Sequence, residues 1–119
     1  MLQHQKIASL TAVPQGAYKA QLVKVNRSSN AYGERIHFEF CLHGASVEGI
    51  VVSKSTNPVL TAKSKLAEVL HGLLGRALTP AEINKGVNVE QMIGTACNVL
   101  VLNSKSKTGA TYSNVERIF

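Results

Sequence analysis

Aromatic and basic residues occur together in two polar segments of this chain, "RSSNAYGE" and "NSKSKTGATY". Tyrosine rings can stack on nucleobases, which contributes about 1–3 kcal/mol per base, and lysine and arginine side chains neutralise phosphates. If folding brings the two segments to one surface, that surface has the chemistry to bind a single-stranded nucleic acid. The residues of these segments that carry this chemistry are Arg27, Tyr32, Lys105, Lys107 and Tyr112.

The charge balance points in the same direction. The chain has 13 Lys or Arg and seven acidic residues, all of them Glu, which gives a net charge of +6. A basic protein attracts polyanions over long distances. Many small basic proteins bind no nucleic acid, however, so charge alone does not decide the function.

Residues for catalysis or for a metal site are not evident. The chain contains no Asp, so a Ser-His-Asp triad is excluded, although Glu could substitute for Asp. No carboxylate pair or Cys-His arrangement stands out. The four histidines lack the spacing of metal ligands. We therefore expect a protein that is not an enzyme and has no cofactor and no metal.

The length and the ends of the chain set further expectations. A chain of 119 residues fits one domain, and we expect an irregular N-terminal arm over 1–16 and a single domain over 17–119. No apolar run approaches the ~20 residues that cross a membrane, and the start lacks a secretory pattern. We expect a cytoplasmic protein in which Cys41 and Cys97 are buried free thiols.

Apolar residues at every second position predict three strands in the first half of the chain. "AYKAQLVKVN" is the first, and its alternation slips near Leu22 and Val23, as at a β-bulge. "ERIHFEFCL" is the second and alternates without a slip, so we expect Phe38 and Phe40 to face the core. "VEGIVVSK" is the third, weakened by Gly49.

The second half begins with a helical pattern. "TAKSKLAEVLHGLLG" has the apolar stripe of an amphipathic helix that Gly75 ends. "TPAE" begins a second helix, in which Thr79 and Glu82 form a capping box. "NVEQMIG" predicts one more turn, and "ACNVLVLN" and "TYSNVERIF" predict two closing strands.

The order of these elements predicts an all-β fold with a helical insertion. Three consecutive strands, a helix and two closing strands are typical of the five-stranded OB-fold Greek-key barrel, with the helix between strands 3 and 4. The aromatic strand also resembles the RNA-stacking strand of an RRM, but that fold needs a helix between its first two strands. Another small open barrel or an α+β roll has the same element order.

In an OB fold, oligonucleotides lie across strands 2 and 3, between the loops that join strands 1 to 2 and strands 4 to 5. We therefore predict sequence-tolerant binding of single-stranded DNA, or of RNA, through this face and its loops. A loop lysine can equally serve solubility and a loop tyrosine can cover the barrel, and the alternative function is a protein-protein adaptor. A homo-oligomer is compatible with the sequence. The predicted binding residues are Tyr32, Arg35, Lys54, Lys105, Lys107 and Tyr112, with Arg27, His37 and Lys24 in a second rank.

Five short motifs of this chain form a recognisable set: "YGERIHFEF" at 32–40, "SKL" at 64–66, "LGRALTPAE" at 74–82, "IG" at 93–94 and Cys97. They resemble motifs of small phage, prophage and mobile-element proteins, and the resemblance covers most of the chain from Pro14 onward. These proteins look like OB-fold relatives of single-stranded-DNA-binding proteins. The motifs resemble core, turn and cap residues, so the resemblance implies a shared fold more than a shared function. Bacterial-type relatives usually end in an acidic tail that recruits partners, whereas this chain ends in "NVERIF", which puts that recruitment in doubt.

Overall fold

The protein is mostly β-structure. The computed structural model describes residues 13–31, 33–44, 46–105, 107–109 and 111–119, with only the backbone of Tyr112. Two α-helices and a 3-10 helix separate the third and fourth strands. The elements are β1 (Gly16–Asn30), β2 (Gly33–His43), β3 (Val51–Thr56), α1 (Lys65–Leu74), α2 (Pro80–Lys85), the 3-10 helix (Val89–Met92), β4 (Ala96–Lys105) and β5 (Thr111–Ile118).

The five strands form one antiparallel sheet in the order β3-β2-β1-β4-β5. This confirms the prediction of an all-β fold with helices inserted between the third and fourth strands. β3 and β5 are the edges of the sheet, and Lys54 of β3 reaches the backbone of β5. Within the described part of the chain, no helix is long and apolar enough to span a membrane.

The inward face of β2 is the centre of the core, as its alternation predicts. Ile36, Phe38, Phe40 and Leu42 are buried there, and both phenylalanines have no exposed surface. Burying a large apolar side chain contributes about 1.5–3 kcal/mol, so this single strand supplies a large share of the hydrophobic stabilisation. The phenylalanine rings therefore build the core and are not available to stack on bases.

A β-bulge divides β1 into two parts, as the slip in its pattern predicts. Leu22 pairs with Phe40 and Lys24 pairs with Glu39, so Val23 has no partner on β2. The backbone beside the bulge is held from the other side, because the Leu22 amide donates to the Thr95 carbonyl oxygen at 3.0 Å. The extra residue reverses which side chains of β1 face the core beyond this point.

α1 covers the inner side of the sheet. Ser64 caps its start by accepting from the Ala67 amide, and Gly75 ends it in a left-handed conformation with φ of 74°. Leu66, Val69, Leu70 and Leu73 of the predicted stripe are buried. The helix backbone approaches β5 so closely at Gly72 that a Cβ atom there would lie 2.1 Å from the Ile118 carbonyl oxygen.

Two predicted strand boundaries are wrong. β1 continues to Asn30 because its pairing with β2 extends to the turn, so Arg27 lies in a strand and not in a loop. β3 begins only at Val51, because residues 46–49 form turns in which Gly49 has φ of 84°. The side chain of Val47 is buried although it lies in this turn. An apolar residue is therefore required at this position, and it makes the sequence look like the start of a strand.

The predicted N-terminal arm is only partly described. Residues 1–12 lie outside the described residues. Val13 is buried, its amide donates to Ser113 Oγ at 2.8 Å, and its carbonyl oxygen accepts from Asn103 Nδ2 at 3.0 Å. The last part of the arm is therefore fixed to the β4–β5 hairpin.

The segment between α1 and β4 contains the predicted capping box and one further cap. Thr79 and Glu82 form the capping box of α2, and the Glu82 carboxylate also accepts two hydrogen bonds from Arg76, each 2.8 Å long. Asn88 caps the 3-10 helix by accepting from the Glu90 amide. These local contacts shape the long connection, and the buried side chains of Leu78 and Val89 attach it to the core of the domain.

Replacing Gly72 with Ala should destabilise the protein by about 1–3 kcal/mol, because the new methyl group cannot fit against β5. Helix propensity alone would give the opposite sign, a gain of up to about 1 kcal/mol. Urea denaturation followed by circular dichroism measures the difference. Lys65→Ala, at an exposed position of the same helix, is the control and should change stability by less than about 0.5 kcal/mol. A more stable Gly72→Ala variant would show that the close approach is absent.

The contacts of Glu82 lower the pKa of its carboxyl group from 4.5 to about 2, chiefly through the Arg76 hydrogen bonds and then through the Thr79 amide. The lowered pKa means that this carboxylate stabilises the folded state above its ordinary pKa and loses that effect as the pH falls from about 4.5 towards about 2. An NMR titration of the Glu82 carboxyl carbon measures the pKa. We expect Arg76→Ala to raise it towards 4.5, and an unchanged value would contradict the assigned cause.

Candidate nucleic-acid interface

The side of the sheet opposite the core is polar across β1, β2 and β3, and we call it the outer polar face. Side chains that are paired across strands point to the same side, so the register defines the members of this face. Three cross-strand rows contribute to it. The outer polar face consists of Lys24, Asn26, Ser28, Arg35, His37, Glu39, Ser53 and Ser55.

Arg35 and His37 lie together on β2 at the middle of this face. Arg35 Nη2 donates to the Ser55 carbonyl oxygen at 3.1 Å and to Ser55 Oγ at 3.0 Å. Ser28 Oγ lies 2.7 Å from His37 Nε2. The two side chains are therefore positioned by the flanking strands, while Nε and Nη1 of Arg35 have no hydrogen-bond partner among the described residues and remain available to a ligand.

Lys24 joins the same face one row away. It lies directly opposite Glu39 in the pairing of β1 with β2, and Asn26 Nδ2 is 3.5 Å from Glu39 Oε2. The face therefore has two permanent cations, one carboxylate and a histidine, surrounded by hydroxyl and amide groups. This composition suits hydrogen bonding to phosphate and sugar oxygens more than apolar contact.

Arg27 and Lys54 belong to the opposite side of the sheet. Arg27 pairs in register with the buried Ile36, and its Nη2 lies 3.4 Å from Glu90 Oε1 of the 3-10 helix. Lys54 pairs with Phe38, and its Nζ lies 3.4 Å from the Val115 carbonyl oxygen and 3.5 Å from that of Glu116. The structure therefore does not bring these two cations together with Arg35 and His37.

The two predicted loops leave the sheet at opposite ends of β1. The β1–β2 turn follows Asn30 at the end of β1, whereas β4 pairs with the start of β1 through Val101 and Gly16. Lys105 and Lys107 of the β4–β5 hairpin are exposed beyond that start. Tyr112 pairs with Ser104 through its backbone, and Tyr32 lies outside the described residues.

Three hydrogen-bonding residues of the outer polar face did not emerge from the sequence. Asn26, Ser28 and Ser55 lie beside Arg35 and His37 only because of the strand register. Polar residues of this kind also populate ordinary loops, and Ser28 is in a segment whose sequence predicts one. The sequence signal that could have identified them is the slip in the alternation of β1. A bulge at Val23 implies that Lys24, Asn26 and Ser28 point away from the core.

Both cysteines are free thiols. Cys41 and Cys97 are both partly buried. Burial raises the pKa of the Cys97 thiol to about 11, so the thiolate that reacts with oxidants is scarce at neutral pH. Among the described residues, no group of three potential ligands could hold a metal ion.

No protein-family model matches this chain, and a search of curated proteins finds no match either.

The contacts of Lys54 indicate a role in joining the two edge strands. Replacing Lys54 with Ala should lower stability by about 1 kcal/mol, because two hydrogen bonds from a charged group to β5 are lost. Lys54→Met keeps the alkyl stem, so it separates the loss of these bonds from the loss of packing. Lys24→Ala is the control and should have an effect below about 0.5 kcal/mol, as measured by urea denaturation. Equal stability of all three variants would exclude the bridging role.

Proposed function

We propose that this chain binds single-stranded nucleic acid, DNA in the first instance, in the cytoplasm and without a preference for sequence. The observation that carries the proposal is the outer polar face, where Lys24, Arg35 and His37 lie across paired strands among hydroxyl and amide groups. Such groups bind phosphates and sugars, which are the same in every sequence. The role is binding and not catalysis.

We further propose that the sheet is an OB-fold barrel. The strand order β3-β2-β1-β4-β5 and the helices between β3 and β4 agree with that fold. The approach of the two edge strands at Lys54 also supports it, because β3 and β5 are the strands whose meeting would close the barrel. The resemblance of the motifs to phage-type relatives of single-stranded-DNA-binding proteins is compatible with this fold.

In this mechanism, attraction by the net charge of +6 brings the strand to the protein. Lys24 and Arg35 then neutralise phosphates, and Asn26, Ser28 and Ser55 donate hydrogen bonds to the backbone of the strand. Glu39 disfavours a phosphate directly above it, so we expect the path of the strand to lie towards Arg35. We also propose that Tyr32 and Tyr112 stack on bases and that Lys105 and Lys107 neutralise further phosphates.

A titration of fluorescence anisotropy with labelled dT oligomers and with a matched duplex, at two or more salt concentrations, tests the proposal. We expect salt-dependent preference for the single strand. Arg35→Ala should weaken binding and reduce the slope of log K against log salt by about 0.7, the value for one phosphate contact on a single strand. Lys85→Ala removes one positive charge from α2, away from the outer polar face, and is the matched control with an unchanged slope.

Absence of binding at low salt would exclude the function and would favour the protein-protein adaptor. Equal affinity for the duplex would reduce the interaction to non-specific attraction. Tyr32→Ala and Tyr112→Ala should each weaken binding by about 5-fold or more if the rings stack on bases. Unchanged affinity in both variants would confine the interface to the outer polar face.

A further inference from the structure

A groove of about 530 Å³ lies between α1 and the end of β5. Lys54 of β3 also lines it. Its volume is within the range of about 300–1,000 Å³ that small-ligand sites occupy. None of the described members of the outer polar face lines this groove, so it is a separate site.

The groove contains a positioned aromatic ring. Phe119 lines it with 49% of its surface exposed, and its backbone is fixed by two hydrogen bonds to Asn98 of 2.8 and 2.9 Å. Arg117 lies two residues earlier on the same side of the strand, with its guanidinium carbon 5.7 Å from the centre of the ring. Because its backbone is held in place and its ring is exposed, Phe119 can stack on a planar group of a ligand.

Two cations in the groove lack a carboxylate partner. Among the described residues, neither Lys54 nor Arg117 has a carboxylate within ion-pair distance. A third cation, Arg76, is already bound by Glu82 at 2.8 Å. The first two side chains are therefore the groups that an anionic ligand would meet.

The groove also contains two carboxylates, which narrow the class of ligand. Glu68 and Glu116 line it together with the cations, and Glu68 Oε2 lies 3.7 Å from Lys65 Nζ. A simple anion gains nothing from these carboxylates or from the ring. A nucleotide uses all three kinds of group, because its phosphate meets cations, its base stacks on a ring, and a base amino group donates to a carboxylate.

We infer that the groove binds a nucleotide whose base has an exocyclic amino group. The phosphate lies at Lys54 and Arg117, the base stacks on Phe119, and Glu68 or Glu116 accepts from the amino group. The nucleotide can be free or one unit of a nucleic-acid strand, and the chemistry of recognition is shared. The inference does not rest on the outer polar face.

Titration of the full-length ¹⁵N-labelled protein with adenosine 5′-monophosphate tests this inference by NMR. We expect the amide signals of Gly72, Gly75, Arg117 and Phe119 to shift. Adenosine and inorganic phosphate should each bind at least about 5-fold more weakly, since each lacks one half of the recognised groups. Inosine 5′-monophosphate, which has a carbonyl in place of the amino group, should also bind more weakly.

Two variants at exposed positions test the residues without disturbing the core. Phe119→Leu keeps apolar bulk without the ring, and it should weaken binding of adenosine 5′-monophosphate by about 5-fold or more. Arg117→Ala should lower its affinity towards that of adenosine. Lys85→Ala is the charge-matched control and should bind as the unmodified protein does. Unshifted groove signals, or equal affinity in Phe119→Leu, would overturn the inference.

A labelled dA oligomer distinguishes the two sources of the nucleotide. Displacement of the oligomer from the groove by adenosine 5′-monophosphate supports a unit of a strand, and it is seen when the oligomer's pattern of shifts at these amides is replaced by that of the mononucleotide. Shifts by the mononucleotide alone support a free nucleotide. Failure of dT oligomers to bind the outer polar face excludes the proposed function but leaves these groove signals unaffected, so the two proposals can fail separately.

Discussion

The bulge at Val23 is the constraint on which both sides of the sheet depend. Before it, Ala20 and Leu22 face the core, and after it Val25 takes that side. Without the extra residue, Lys24 would share the phase of Leu22 and would lie over the Phe38 and Phe40 rings. Burial of an unpaired ammonium group there would be far more costly than one unpaired residue within the β1–β2 ladder.

The same shift creates the outer polar face. Lys24, Asn26 and Ser28 follow one another at every second position beyond the bulge, and each lies opposite a polar residue of β2. A one-residue slip in register would exchange the two faces completely, because side chains alternate along a strand. The large apolar side chains at Phe38 and Phe40 prevent that slip, since it would expose both rings to water. The core therefore determines the placement of the candidate interface.

The other side of the fold depends on the absence of a side chain. Gly72 lets α1 approach Ile118, and the helix thereby covers the core at Leu70 and Leu73. Because the helix lies so close to β5, the end of that strand becomes a wall of the groove that contains Phe119. The glycine thus couples the packing of the core to the shape of a surface site.

The sequence predicts most of the helices and strands, but it predicts little about which residues of different strands lie side by side. The alternation around Phe38, the stripe of α1 and the Thr79 capping box are local patterns, and each is confirmed. The composition of "RSSN" predicts a loop, but the pairing of this segment with β2 keeps it extended. Hydrogen bonding across strands overrides local preference in such a segment, and one sequence contains no direct record of that pairing.

Grouping of the cations was the least predictable feature, because it depends on which side of a strand each residue occupies. Arg35 and Lys54 are both basic and lie on neighbouring strands, but their partners Ser28 and Phe38 assign them to opposite sides of the sheet. The pairing of β3, which begins at Val51, decides which of its residues face the core. This cannot be read from the sequence, because the turn before Val51 resembles a strand. A similar alternation places Arg117 and Phe119 together at the end of β5, where "NVERIF" first suggests only a closing strand.

This division of the cations has an electrostatic consequence. The positive charge does not form one continuous patch over the described surface, because Arg27 and Arg76 are paired with Glu90 and Glu82. Among the described residues, the cations without such partners include Lys24 and Arg35 on the outer polar face, Lys105 and Lys107 on the β4–β5 hairpin, and Lys54 and Arg117 in the groove. Beyond a screening length of about 8 Å at physiological salt, groups of charges act nearly independently on what they contact. A net charge of +6 therefore attracts a polyanion to the whole molecule, whereas the geometry of each group of cations decides what that group can hold.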